Sequence, residues 1–344
     1  MALLFYLILQ ILNINVRITI TLLMRDALNG TIPILLLSGL FLPHCFPIKI
    51  KREITQGTLL MKVLLTGANG QLGRCFQDRL PEGWEVWATD TSELDITKKG
   101  DVIAAVSNYN PDVIVNAAAY TAVDKAESNI KMAELVNKFG PENLAIAAKA
   151  CSALFFHVST DYVFDGYSTT PYVETDETNP LSVYGKTKLD GEIAAASILP
   201  ETIIIRTAWV FSEYGNNFVK TMLRLGRERD SIGIVDDQRG CPTYAGDIAH
   251  AIISLTKNNA KGGVYHFCGD IEVSWYDFAK TIFDVARKNE IIKIVPTIKP
   301  IRTEEYPTPA HRPSYSTLDC TKIKNVGINP SSWECALIDV VNKL

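Results

Sequence analysis

Tyr184 and Lys188 stand four residues apart in Tyr184-Gly185-Lys186-Thr187-Lys188. On a helix, such a pair shares one face. A tyrosine, with an ordinary pKa near 10, gives up its proton at neutral pH only where its phenolate is stabilised, and a neighbouring ammonium does that. The pair therefore reads as a general acid, Tyr184, tuned by Lys188. Thr160, in Ser159-Thr160-Asp161-Tyr162-Val163-Phe164, offers a hydroxyl to the carbonyl oxygen that such an acid would protonate. A Y-x-x-x-K pair also arises by chance in many helices, so its meaning depends on the elements around it.

Those elements alternate between strand and helix. Residues 62–66 (KVLLT) form a short apolar run, Gly67, Gly70 and Gly73 follow as G-x-x-G-x-x-G, and 71–79 reads as a helix start. This is the context of a dinucleotide-binding turn: bare backbone approaches the pyrophosphate and the helix N-terminus supplies free N–H groups. Asn69, Gln71 and Leu72 complete the turn. The next strand, 85–89, ends in Asp90, seventeen residues after Gly73. That is near the offset of an acidic ribose ligand, and a carboxylate there leans toward NADH without excluding NADPH. Asp95 and Ile96 are expected near the adenine.

After a helix over 99–109, the strand 112–117 (DVIVNA) ends in Ala117, Ala118 and Ala119, small enough for a nicotinamide ribose to pack on backbone. A helix over 129–150 and a strand over 153–159 (ALFFHVS) continue the alternation. The pattern predicts an α/β fold with a doubly wound parallel sheet of the Rossmann type, with ligands at the carboxyl ends of the strands. It predicts an NAD(P)-binding domain over 61–230 plus about 247–270, with 264–267 (VYHF) returning to the sheet. Residues 231–246 plus 271–344 would form a smaller C-terminal substrate-binding lobe, its last stretch loop-rich from Pro296, Pro300, Pro307, Pro309 and Pro313.

The chain has 344 residues and a net charge of −4, and the first sixty contribute five basic and two acidic side chains, so the remainder carries about −7. An acidic body argues against a nucleic-acid partner. Seven dispersed cysteines without a C-x-x-C pair read as reduced thiols in a cytoplasmic protein, and no zinc spacing joins them to the five histidines. Residues 1–60 differ from the rest. Their apolar stretches lack a signal peptide's charged start and cleavage site, and Arg17 interrupts the first candidate membrane span. The alternatives are membrane attachment and an upstream segment ahead of a true start at Met61; the expectation favours the latter.

The motifs in this order resemble the extended short-chain dehydrogenase/reductase superfamily. Within it, 111–128 (PDVIVNAAAYTAVDKAES), 158–166 (VSTDYVFDG), 179–191 (NPLSVYGKTKLDG), 206–209 (RTAW), 215–225 (GNNFVKTMLRL), 237–243 (DQRGCPT) and 306–313 (YPTPAHRP) resemble the dTDP-4-dehydrorhamnose reductase family. The likeness covers 61–344 and none of 1–60. It implies reduction of the C4 ketone of a dTDP-4-dehydro-6-deoxysugar by NADPH or NADH, with Tyr184 as acid and Lys188 and Thr160 assisting. It also implies a sugar pocket at Val123, Asp161, Tyr162 and Trp209, nucleotide contacts at Asn217 and Phe218, and a diphosphate partner in Arg312.

The resemblance leaves two other readings open: a related reductase giving 6-deoxy-L-talose, and a non-catalytic regulatory subunit of methionine adenosyltransferase. A homodimer and Mg2+ are also features of such relatives, with acidic residues near the start of the first helix. Here that helix reads Gln71-Leu72-Gly73-Arg74-Cys75-Phe76, and the sequence shows no magnesium ligand set.

Overall fold

The computed structural model describes residues 60–344; the segment before them, and with it every reading of that segment, lies outside the described residues. Five strands come early: β1 (Met61–Thr66), β2 (Trp84–Thr89), β3 (Val113–Asn116), β4 (Leu154–Thr160) and β5 (Ile203–Thr207). A late strand, Gly263–His266, pairs parallel with β5, as the sequence predicts for that stretch. The sheet order is Gly263–His266, β5, β4, β3, β1, β2, and every pairing is parallel. This is the doubly wound sheet expected from the alternation.

The strands are apolar because both faces are covered. Successive residues of β1 point to opposite sides. Leu64 joins Ile114 and Phe155 under the helices Lys99–Tyr109 and Gly140–Cys151. Val63 and Leu65 join Val115, Phe156 and Ile205 on the other side. That second cluster runs on without a break to Ile232, Phe278 and Trp333.

The strand order reverses between β1 and β3, the position at which sheets of this kind open a crevice. A polar rung crosses the sheet there. Thr66 donates to Asn116 Oδ1 at 2.7 Å, and Asn116 Nδ2 meets His157 Nδ1 at 3.0 Å. Burial holds His157 well below the ordinary imidazole range, so its ring is neutral.

One element departs from the prediction. The helix read over 129–150 is broken into Ile130–Glu134, a π-helical turn Leu135–Phe139, and Gly140–Cys151. Asn137, fully buried in the π turn, accepts from Tyr120 N (2.7 Å) and donates to Tyr120 O (3.2 Å) and Thr187 Oγ1 (3.1 Å). The widened turn thus lets one side chain tie the loop after β3 to the helix Val183–Ile198. No helix among the described residues is long and apolar enough to cross a membrane. Cys75, Cys151, Cys241, Cys268, Cys320 and Cys335 are free thiols.

Candidate active site

A cleft of about 930 Å3 opens at the carboxyl ends of the strands. The glycine turn forms one end. Gly67 has φ +72°, and a Cβ there would stand 2.6 Å from Ala118 N, so β1 and β3 can approach only with glycine at this point. Gly70, Gln71 and Leu72 line the cleft beside it. Gly73 does not line it; it packs against the Gly67 carbonyl, where a Cβ would lie 2.2 Å away. Asn69 is also off the wall: its N–H donates to Asp90 Oδ2 (3.1 Å), and its side-chain oxygen accepts from Arg74 (2.8 Å). Asp90 is thereby aimed from β2 across the turn, and Asp95, Ile96 and Ala117–119 continue the same wall. These bare, small and acidic positions fit a dinucleotide: backbone for the pyrophosphate, a carboxylate for a ribose diol. We expect Gly67→Ala to weaken NADPH binding about tenfold or more, because left-handed backbone costs an L-residue roughly 1–2 kcal/mol before the clash is counted; titration of NADPH fluorescence reads this.

Thr160, Tyr184 and Lys188 meet at the other end. Thr160 closes β4, and its hydroxyl donates to Asp161 Oδ1 at 2.9 Å. Tyr184 sits in the first turn of the helix Val183–Ile198, capped by Ser182, whose Oγ accepts from Gly185 N at 3.1 Å. Gly185 lets that helix lie against the Tyr162 carbonyl, from which a Cβ would stand only 2.2 Å away. The Tyr184 ring then meets the Tyr162 ring edge-on, 5.6 Å between centroids. Lys188 is buried and donates to Val158 O at 2.6 Å.

The electrostatics differ from the simplest reading of the Tyr-Lys spacing. Burial pushes the Tyr184 phenol up to about 12, and the main counter-effect is the hydrogen bond with Thr160, not Lys188. Burial pulls Lys188 down to about 8, against the pull of Glu192, and pushes Asp161 up to about 6.

Val123, Asp161, Tyr162 and Trp209 line the cleft. Asn217, Phe218 and Arg312 do not. Asn217 caps the helix Phe218–Glu228 and donates to Gln71 Oε1 (2.9 Å) and Ser212 O (2.7 Å). It braces the wall from behind, next to the cleft-lining Asn216. Phe218 packs on Trp275 and Phe278. Arg312 forms a two-pronged pair with Asp124, at 3.1 and 2.8 Å; to reach a diphosphate it must exchange that carboxylate. Sequence reasoning missed Trp275, Thr207 and Ile248, all on the cleft wall. Nothing in local spacing marks them.

The residues do not fit a magnesium site. The first helix, Gln71–Gln77, has no acidic residue in its first turn. The nearest carboxylates are engaged: Asp78 accepts from Tyr214 (2.8 Å), and Glu213 from Lys343 (2.6 Å) and Tyr244 (3.1 Å). Burial holds the Cys75 thiol up at about 12, in its protonated form. Among the described residues, no group of three His, Cys, Asp or Glu side chains is arranged to hold a metal ion.

Known proteins share this architecture. The family model described as "RmlD substrate binding domain" matches residues 61–344. A dTDP-4-dehydrorhamnose reductase of Aggregatibacter actinomycetemcomitans is 49% identical over 289 residues, covering 82% of this chain and 98% of that protein. A solved dTDP-4-dehydrorhamnose reductase of Clostridium acetobutylicum superposes with a TM-score of 0.78 at 41% identity, covering 82% of this chain and 99% of that one. One from Bacillus anthracis, solved in complex with NADP, gives 0.78 at 37% identity, covering 83% and 99%. With its glycine turn, its Thr160, Tyr184 and Lys188 and this likeness along 61–344, the chain belongs to the RmlD substrate binding domain family, among relatives named dTDP-4-dehydrorhamnose reductase.

Proposed function

We propose that this protein is a cytoplasmic dTDP-4-dehydrorhamnose reductase, reducing the C4 ketone of dTDP-4-dehydro-L-rhamnose to dTDP-L-rhamnose with NADPH or NADH. The observation that carries the reading is the placement of Thr160, Tyr184 and Lys188 in the same cleft as the glycine turn and Asp90. When bound there, a reduced nicotinamide supplies the hydride.

The chain supplies the proton and the geometry. Tyr184, a neutral phenol throughout the neutral range, gives its proton to the C4 oxygen as that oxygen gains negative charge. The ketone becomes a secondary alcohol, and Tyr184 is left as a phenolate. Thr160 donates to the same oxygen once its hydroxyl turns away from Asp161 Oδ1. Lys188, charged below about pH 8, holds ribose hydroxyls from the next turn of the same helix. Val123, Tyr162 and Trp209 hold the sugar, and the segments 231–246 and 271–344 act as the substrate-binding lobe.

The test is turnover by the full chain: loss of nicotinamide absorbance with dTDP-4-dehydro-L-rhamnose, and identification of the sugar product. Release of dTDP-L-rhamnose supports the proposal. Release of the 6-deoxy-L-talose isomer replaces it with the related reductase. A folded, NADPH-binding protein that never turns over, but captures a methionine adenosyltransferase, replaces it with the regulatory reading.

Because the first helix and its neighbours lack free metal ligands, we expect excess chelator to leave both turnover and oligomeric state unchanged. Restoration of a lost activity by Mg2+ after EDTA treatment would contradict this.

A further inference from the structure

Trp209 and Trp275 both line the cleft. Their ring centroids are 3.5 Å apart and their planes 6° apart. Aromatic pairs favour an offset or edge-on arrangement over such a face-to-face stack. Trp209 also has φ +47°, in the left-handed region that bulky residues rarely adopt. Two costs meet in one residue beside the ligand cleft. Strain of this kind persists only where the surroundings impose it, and it gathers at functional sites.

The backbone of Trp209 is held where its carbonyl accepts from Thr243 N at 3.2 Å; the stack itself is held from the side of Trp275. This residue opens the helix Trp275–Lys288, whose cap Ser274 accepts from Asp277 N (3.0 Å) and donates to Asp236 Oδ1 (2.6 Å). The Trp275 indole N–H donates to Gln238 Oε1 at 3.2 Å, and Gln238 Nε2 donates in turn to Thr303 Oγ1 at 3.1 Å. The Phe218 ring packs 4.6 Å away. Trp275 is thus fixed at its backbone, at its polar edge and by a neighbouring ring. The Trp209 side chain has no comparable tether: among the described residues its indole N–H makes no hydrogen bond. Packing holds it, against Trp275 and against Gly240, where a Cβ would stand 2.7 Å from indole Cε2 and Nε1.

We propose that Trp275 is a positioning residue for the reduction: it sets the place of the Trp209 indole, and through it the seat of the sugar ring. This rests on the reading of Trp209 as a wall of the sugar pocket. An indole face packs against the C–H groups of a sugar, so an indole that loses its stacking partner weakens sugar binding. The dinucleotide wall is built from the glycine turn, Asp90 and Ala117–119, and dTDP lacks the sugar ring, so binding of either is a control for this role. Trp275 does not touch the reacting atoms.

The experiment compares Trp275→Ala and Trp275→Phe with the parent, all in the full chain. Affinities for dTDP-L-rhamnose, dTDP and NADPH are measured by titration, and kcat and KM by turnover. Far-UV circular dichroism reports the exciton couplet of two stacked indoles. For Trp275→Ala we expect the couplet lost, affinity for dTDP-L-rhamnose down and KM up by about tenfold, the factor that 1.4 kcal/mol represents, with kcat, dTDP and NADPH affinities close to the parent. Trp275→Phe should recover most of the sugar affinity.

Equal weakening of dTDP and dTDP-L-rhamnose, loss of NADPH binding in a folded variant, or no change in either variant overturns the proposal. Should Trp275→Ala melt below the assay temperature, Trp275→Phe decides alone: an intermediate, sugar-specific loss supports the role, and none removes it. A parent that binds dTDP-L-rhamnose no better than dTDP removes the underlying reading of the pocket, and this proposal with it, whatever the variants do.

Discussion

Tyr184→Phe is expected to lower kcat by about 100- to 10,000-fold, the range of a lost general acid, while NADPH affinity and melting temperature stay near those of the parent. Phenylalanine keeps the ring that meets Tyr162 edge-on and removes only the hydroxyl. The size of the loss follows from the site's chemistry. Once hydride reaches C4, the oxygen carries a full negative charge unless a proton arrives with it. Water is a poor substitute, because Tyr184 lies in a largely buried corner with Lys188 and Thr160. A phenol held at about 12 stays protonated through the working range and is still a far better acid than the alcohol it forms. Single-turnover rates with NADPH check this; a loss below about fivefold would move the acid's role elsewhere.

The second large effect is on stability. Arg206 and Glu192 are both buried and joined by three hydrogen bonds, at 3.0, 3.2 and 2.7 Å. Arg206 also lies over the Phe164 ring. Replacing Glu192 with glutamine leaves the guanidinium charge buried without its counter-charge, and breaking such a pair costs roughly 3–5 kcal/mol. Urea unfolding of Glu192→Gln should show a loss in that range. The double variant Glu192→Leu with Arg206→Met, which removes both charges, should regain part of it.

The same substitution also reaches the active site, because Glu192 is one helical turn beyond Lys188 and favours its charged form. The sign is fixed. A lysine is charged below its pKa, and burial has already brought Lys188 from 10.5 to about 8. A rate that needs the ammonium therefore falls as pH rises through about 8. Removing Glu192 lowers the pKa further, so the falling limb of kcat/KM should move to lower pH. An unmoved limb would mean that it reports another group.

Much of this was legible in the sequence because it depends on spacing along the chain. Short continuous apolar runs, each followed by a stretch of helical length, set the strand–helix alternation. The glycine spacing set the first turn, and the four-position separation of Tyr184 and Lys188 put both on one helical face. Asp90, at the end of β2, follows from the same regularity. Each is decided by neighbours a few residues away or by a repeating unit of known length, so a local pattern carries it.

What the tertiary structure alone decided involves partners with no fixed offset. Trp275 reaches Trp209 only because the late helix docks on the cleft. Arg312 pairs with Asp124 across 188 positions, and Asn217 braces Gln71 across 146, where the family likeness points to direct ligand contacts. The π turn at Leu135–Phe139 answers to Tyr120 and Thr187, not to its own residues. The spacing of Tyr184 and Lys188 marks a catalytic pair, but the acidity of that pair follows from desolvation, which depends on everything packed around it. The sequence thus determined which residues lie near one another along an element, and the packing of distant loops decided which of them face the ligand and at what charge.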